Sequence, residues 1–141
     1  MAGFRFLEHV SDVYIEAVGE TLEEAFNQAA CAVFETMTDL ASIESKEKRA
    51  VNIKAEDLES LLFEWINWFL YLLDVDQLLF SKFEIKIRKV KGGYSLIGDC
   101  WGEEFNPEKH PSKTEIKAPT YSLMEIIQEP SLVTLRFVVD I

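Results

Sequence analysis

Between Leu58 and Leu73 this chain places an apolar residue at nearly every angle of a helix: Leu58, Leu61, Leu62, Phe63, Trp65, Ile66, Trp68, Phe69, Leu70, Leu72 and Leu73. The polar residues Asp57, Ser60, Glu64, Asn67, Tyr71 and Asp74 recur at steps of three and four, so they stack in one narrow stripe. A helix this apolar has to be covered on most sides, and its stripe must meet water, a partner or internal hydrogen bonds. Asp57 is placed to cap it, and the pattern runs to about Asp74. Two readings of the stripe remain: a solvent-facing edge on a core helix, or, with Trp68 or Phe63 beside it, part of a partner-binding surface. The stretch from Leu61 to Leu73, interrupted by Glu64 and Asn67, is too short to span a bilayer.

The rest of the chain supplies what covers such a helix. Val13 to Val18 alternates as a strand does; Thr21 and Glu24 then form a capping box, and Leu22, Phe26, Ala29, Val33 and Met37 follow at helical spacing. Ala50 to Lys54 and Phe83 to Arg88 alternate again, with Ser42 to Arg49 read as a loop. Lys91-Gly92-Gly93-Tyr94 signals a hairpin into Ser95 to Gly98, because glycine supplies the positive φ of a tight turn. Gly102 to Lys113 is a polar excursion, and Tyr121 to Gln128 with Leu132 to Val139 reads as a last strand pair turned at Glu129-Pro130-Ser131. Two main helices among short strands predict an α+β fold, a single domain over residues 1–141 with the helices packed on a largely antiparallel sheet.

Charge narrows the function classes. With 14 Lys and Arg against 25 Asp and Glu, the chain carries −11, which repels phosphate at long range and suits a basic partner. Direct nucleic-acid binding is therefore not expected, nor is a membrane role. Cys31 and Cys100 form no Cys-x-x-Cys motif, so neither a zinc site nor a redox pair is signalled. Nothing before Phe4 reads as a signal peptide, and a reducing cytoplasm is the expected compartment.

The acidic residues at the two chain ends are more specific. Asp12 precedes the strand at Val13, while Phe137-Val138-Val139 carries Asp140 and the Ile141 carboxylate to the end of another. If those strands are neighbours, three carboxyl groups converge, and crowded carboxylates repel unless one takes a proton or a hard cation binds among them. Asp12, Asp140 and Ile141 thus form a candidate Ca²⁺ or Mg²⁺ site. Solvated residues at strand ends are the alternative reading.

These residues also carry a resemblance. Phe6-Leu7-Glu8-His9-Val10-Ser11-Asp12, then Glu16-Ala17, Gly19, Thr21-Leu22-Glu23-Glu24-Ala25-Phe26 and Ala29-Ala30, is similar to the opening of the archease family. Lys117-Ala118-Pro119-Thr120-Tyr121 and Val138-Val139-Asp140-Ile141 resemble that family's ending, so the likeness runs from end to end. Two departures stand out: His9-Val10-Ser11-Asp12 where the family reads His-Thr-Ala-Asp, and Ser122 where it has His after Thr-Tyr. The resemblance implies an accessory protein that activates the RtcB-type RNA ligase of tRNA splicing by promoting its GTP-consuming guanylylation and multiple turnover. It implies a bound divalent cation, Ca²⁺ first with Mg²⁺ or Mn²⁺ as alternatives, and it raises Glu8, His9 and Lys117 as partner-facing residues. On residues alone, Glu8 either supplements the metal site or caps the strand; His9 either steadies a carboxylate or is a buried, hydrogen-bonded histidine. Lys117 and His110 are placed to face a phosphate or an acidic group on the partner.

Other chemistries are thinly supported. The two histidines, His9 and His110, lie about a hundred positions apart and make no zinc motif. Neither a phosphate-cradling Gly-x-x-x-x-Gly-Lys-Ser/Thr loop nor a Gly-x-Gly-x-x-Gly turn is present. His9, Ser11 and Asp12 have the residue types of a hydrolytic triad, but strand alternation sends Asp12 to the opposite face. A metal-dependent hydrolase is therefore the weaker rival, and a chaperone-like binding module using the aromatic helix is the stronger one.

Overall fold

The computed structural model describes residues 1–8 and 11–141. Helix α1 spans Leu22–Met37 and helix α2 spans Leu58–Asp76. Both start on the predicted caps. Thr21 Oγ1 accepts from Glu24 N at 3.1 Å, and Glu24 reaches back to Glu20 N at 2.9 Å. Asp57 Oδ1 accepts from Ser60 N at 2.7 Å, satisfying a donor that the first helical turn leaves free. Helix α2 stops where Gln77 turns left-handed at φ 56°.

Among the described residues, eight strands follow the chain as β1 (Gly3–Leu7), β2 (Val13–Gly19), β3 (Glu47–Ala55), β4 (Leu78–Val90), β5 (Gly93–Glu104), β6 (Ala118–Pro119), β7 (Glu125–Glu129) and β8 (Leu132–Asp140). They form two sheets, every pairing antiparallel. The first runs β1-β2-β8-β6, with β7 pairing the earlier half of β8, and the second runs β3-β5-β4. Helix α1 packs on β1, β2 and β8 but also touches β4, while α2 packs on all three strands of the second sheet and touches β6 and β7. The helices therefore lie between the sheets. That explains the composition of α2, which has a sheet on two sides and α1 on a third.

The expected α+β fold, two helices packed on antiparallel sheet, is what forms, with the strands divided between two sheets and several boundaries shifted. Glu47 to Arg49, read as loop, already belongs to β3, because Glu47 pairs with Gly102. Tyr121 to Met124 is not strand: Leu123 sits at φ 55°, and regular pairing resumes only at Glu125. Strand β1, where no strand was predicted, exists because Gly3 to Leu7 finds Val18 to Tyr14 beside it.

The core sits where the helices cross. Trp65 Nε1 donates to Phe26 O at 2.8 Å, tying α2 to α1. Trp65, Phe34 and Phe80 gather around Phe69, with Trp65 at 4.5 Å and Phe34 at 5.3 Å between ring centroids. Burying each such ring contributes about 1.5–3 kcal/mol, and edge-to-face pairs add roughly 0.5–1.5 kcal/mol. This rigid middle layer fixes the relative position of the sheet ends.

Candidate functional site

Strands β2 and β8 are neighbours, with Val13 opposite Val139. One residue beyond this pair stand Asp12, in a bend just before β2, and Asp140, the last residue of β8. Asp12 is half-buried and Asp140 exposed, while the Ile141 side chain packs against the core and pins the chain end.

The other flank of β8 is held equally firmly. Ala118 pairs with Asp140, and Lys117 N donates to Asp140 O at 2.8 Å. Thr120 grips Val138 O twice, through its N–H at 3.2 Å and its hydroxyl at 2.7 Å. Since Leu7 lies opposite Tyr14, Glu8 falls at the same end of the sheet. The order β1-β2-β8-β6 therefore lines up Glu8, Asp12, Asp140 and Lys117 along one sheet end. His9 lies outside the described residues.

The side chains face separate concavities. Asp12 lines a cleft of about 370 Å³ with Phe6, Tyr14 and the Glu35–Lys113 ion pair, whose Lys113 Nζ to Glu35 Oε2 distance is 3.2 Å. Lys117 lines another of about 620 Å³, against Asn67, Tyr71 and Asp74 of the α2 stripe. The stripe thus borders a groove that Lys117 shares. Among the described residues, no group of three His, Cys, Asp or Glu side chains stands together as a metal cluster. A cation at Asp12 and Asp140 would take its further donors from other oxygens at this sheet end. The oxygen-only donor set fits a hard cation such as Ca²⁺, Mg²⁺ or Mn²⁺.

The two aromatic candidates differ. Trp68 is half-buried and packs on Trp65, Phe69 and Phe80. Phe63 instead stacks on Tyr121, centroids 4.6 Å apart, and Tyr121 is 54% exposed. Burial and the nearby carboxylates of Asp57 and Glu64 raise the Tyr121 pKa.

His110 does not face outward as expected. It is 1% exposed, with Nε2 3.0 Å from Glu103 Oε2 and Nδ1 accepting from Asn106 N at 2.9 Å. Glu103 also accepts from Glu44 N at 2.7 Å and from Lys109 Nζ at 2.9 Å. Burial alone would push the Glu103 carboxyl up; these donors outweigh it and hold the pKa down to about 2. Sequence reasoning missed this cluster because Glu44 and Glu103 are 59 positions apart and no motif joins them.

The model of the Archease protein family matches residues 4–141. The chain is 46% identical to the protein archease of Sulfurisphaera tokodaii and 41% identical to that of Methanothermobacter thermautotrophicus, covering the whole of both chains. The solution structure of Methanobacterium thermoautotrophicum protein 1598 superposes with a TM-score of 0.85 at 41% identity, covering 99% of each chain. A crystal structure of an archease from Thermotoga maritima, described as a possible chaperone, shares the fold at TM-score 0.59 and 20% identity, over 96% of this chain and 94% of that one.

Proposed function

We propose a function from one premise: the chain belongs to the archease family. It acts as an accessory protein, not as the catalyst, and activates an RtcB-type RNA ligase by promoting its guanylylation and multiple turnover. The observation that carries this reading is the alignment of Asp12, Asp140 and the chain end at one end of the first sheet, beside Lys117.

Asp12, Asp140 and the Ile141 carboxylate would hold a divalent cation, Ca²⁺ first and Mg²⁺ or Mn²⁺ as alternatives. When bound, such a cation neutralises the crowded carboxylates and offers open coordination positions to a ligase side chain or a nucleotide phosphate. The protein's own part is positional. Val13–Val139 pairing brings Asp12 and Asp140 to the same end of neighbouring strands, Lys117 N–H fixes the Asp140 carbonyl, and the buried side of Ile141 anchors the chain end. Glu8 and Lys117 flank the site as partner-facing charges, with His9 assigned the same role from sequence. The overall charge of −11 suits a basic enzyme as partner. A second reading, a chaperone-like module, draws on the stack of half-buried Phe63 on exposed Tyr121.

RNA ligation by the ligase, with and without this protein at limiting Ca²⁺, separates the readings when run beside aggregation suppression of an unrelated client. Asp12→Ala and Asp140→Ala are expected to lose stimulation at least about tenfold with unchanged far-UV circular dichroism, since each removes a ligand from a hard-cation site. Full stimulation by both variants removes the carboxylate site. Client protection without ligase stimulation selects the chaperone-like reading.

A further inference from the structure

The charge of −11 is unevenly spread. The face of the second sheet turned away from the helices is built from alternate residues of β3, β5 and β4. Its register rows are Lys48–Trp101–Lys82, Ala50–Asp99–Glu84, Asn52–Ile97–Lys86 and Lys54–Ser95–Arg88. These four rows carry five cations against two anions, a net +3 within a chain of −11; Glu103, two positions beyond Trp101 on β5, is covered by Lys109 and His110. All five cations are exposed, and among the described residues none enters an ion pair. The outer face of the first sheet is the contrast: there Arg5 and Arg136 are both bound to Glu16, at 2.6 and 2.9 Å.

A β-bulge helps to build this face. Phe80 pairs with Gly102 but Lys82 pairs with Trp101, so Ser81 is the extra residue. Were Ser81 instead paired in an unshifted ladder, Lys82 would fall opposite Cys100 and point into the core. Bulges re-aim side chains in this way. Here the bulge delivers the Lys82 ammonium to 4.6 Å from the centre of the Trp101 ring, and Lys48 is opposite Trp101 on the neighbouring strand. Ile97, 45% exposed, continues the apolar line along the central strand between Asn52 and Lys86.

We propose that this outer face binds single-stranded RNA, the cations meeting phosphates and Trp101 meeting a base. Unpaired cations flanking an aromatic ring on an open sheet are what a phosphate backbone with stackable bases recognises. Alternate residues such as Lys86 and Arg88 advance about 6.8 Å along a strand, comparable to one phosphate step of an extended nucleic-acid strand. An acidic protein segment would answer the charge but leave the interleaved aromatic without a stacking partner. The proposal needs neither the cation site nor the ligase.

The test is fluorescence anisotropy of a labelled, mixed-sequence RNA of about twelve nucleotides with the intact protein at low salt. Binding is expected to weaken with salt with a log–log slope of about −2, if three cations neutralise phosphates. The Lys82→Glu/Lys86→Glu double variant should weaken it at least tenfold; Trp101→Ala should weaken it several-fold and leave the salt slope unchanged. Trp101→Phe, which keeps a ring, should restore most of the loss and guards against a folding artefact. No binding at low salt, binding indifferent to the charge reversal, or displacement by polyglutamate as readily as by unlabelled RNA overturns the proposal.

Discussion

His110 Nε2 stands 3.0 Å from Glu103 Oε2, and both side chains are withdrawn from water. Because Nδ1 already accepts from Asn106 N, the ring proton belongs on Nε2, where it is donated to the carboxylate. Lys109 bridges Glu103 and Glu44, so the end of β5, the segment before β3 and the loop after β5 are tied at one carboxylate. That loop runs on to Lys117.

Glu103→Ala should destabilise the protein by about 2–3 kcal/mol, since it strands the buried His110 N–H and the Glu44 N–H and frees a lysine. In a chain of this size that is a fall in Tm of roughly 5–10 °C, read by differential scanning calorimetry. An unchanged Tm would show that the cluster is solvated and contributes nothing.

The same carboxylate sets a pH dependence. Its folded pKa of about 2 lies below the ordinary 4.5, so its contribution is complete above the unfolded value and is lost as pH falls through the folded one. Glu16, held down first by its hydrogen bond to Arg5, and Glu35, held down first by the Leu40 N–H, act with the same sign. The thermal midpoint should therefore be flat between about pH 5 and pH 8 and decline from pH 5 toward pH 2. Glu103→Ala should show a shallower decline than the native protein. Parallel curves would refute the assignment.

A cation at Asp12 and Asp140 should stabilise the fold, because a ligand that binds only the native state adds RT ln(1 + [L]/Kd), about 2.7 kcal/mol at a hundredfold excess over Kd. Millimolar Ca²⁺ should raise Tm, chelator should reverse the rise, and Asp140→Ala should abolish it. A midpoint indifferent to Ca²⁺, Mg²⁺ and Mn²⁺ argues against a specific native-state site.

How legible this was in the sequence depends on the range of the interaction. Local signals held: Thr21 and Asp57 cap the helices, and Gly92 at φ 83° turns the β4–β5 hairpin. The neighbourhood of Asp12 and Asp140 was also readable, because two alternating segments at the chain ends needed only one assumption, that they pair. What stayed hidden was non-local. The near-cylindrical apolar surface of α2 could equally mean a deep single layer, and only the pairing of β3 with β5 reveals a second sheet. His110 was expected outside because loop histidines usually are; nothing near it in the chain announced Glu103. Net charge averages over the surface, and alternation along β4 and β3 sorts lysines onto one face that the total conceals.

The chain end offers the sharpest test of the carboxylate site. Ile141 packs against the core, and Asp140 is held through its carbonyl by Lys117 N–H, so the position of a carboxylate borne by Ile141 is set by structure on both sides. Converting that carboxylate to an amide keeps the side chain and the strand but replaces an anionic ligand with a weaker neutral one. A short polar extension does the same and crowds the site, while deleting Ile141 moves the terminal charge onto Asp140 and removes the apolar anchor. Protein tagged at the C-terminus should therefore bind Ca²⁺ at least about tenfold more weakly than protein tagged at the N-terminus, one ligand being lost from a small oxygen set. Its stimulation of the ligase should fall in parallel. Isothermal titration calorimetry giving equal Ca²⁺ affinity for the native and extended chains would remove Ile141 from the site and leave the cation to Asp12 and Asp140.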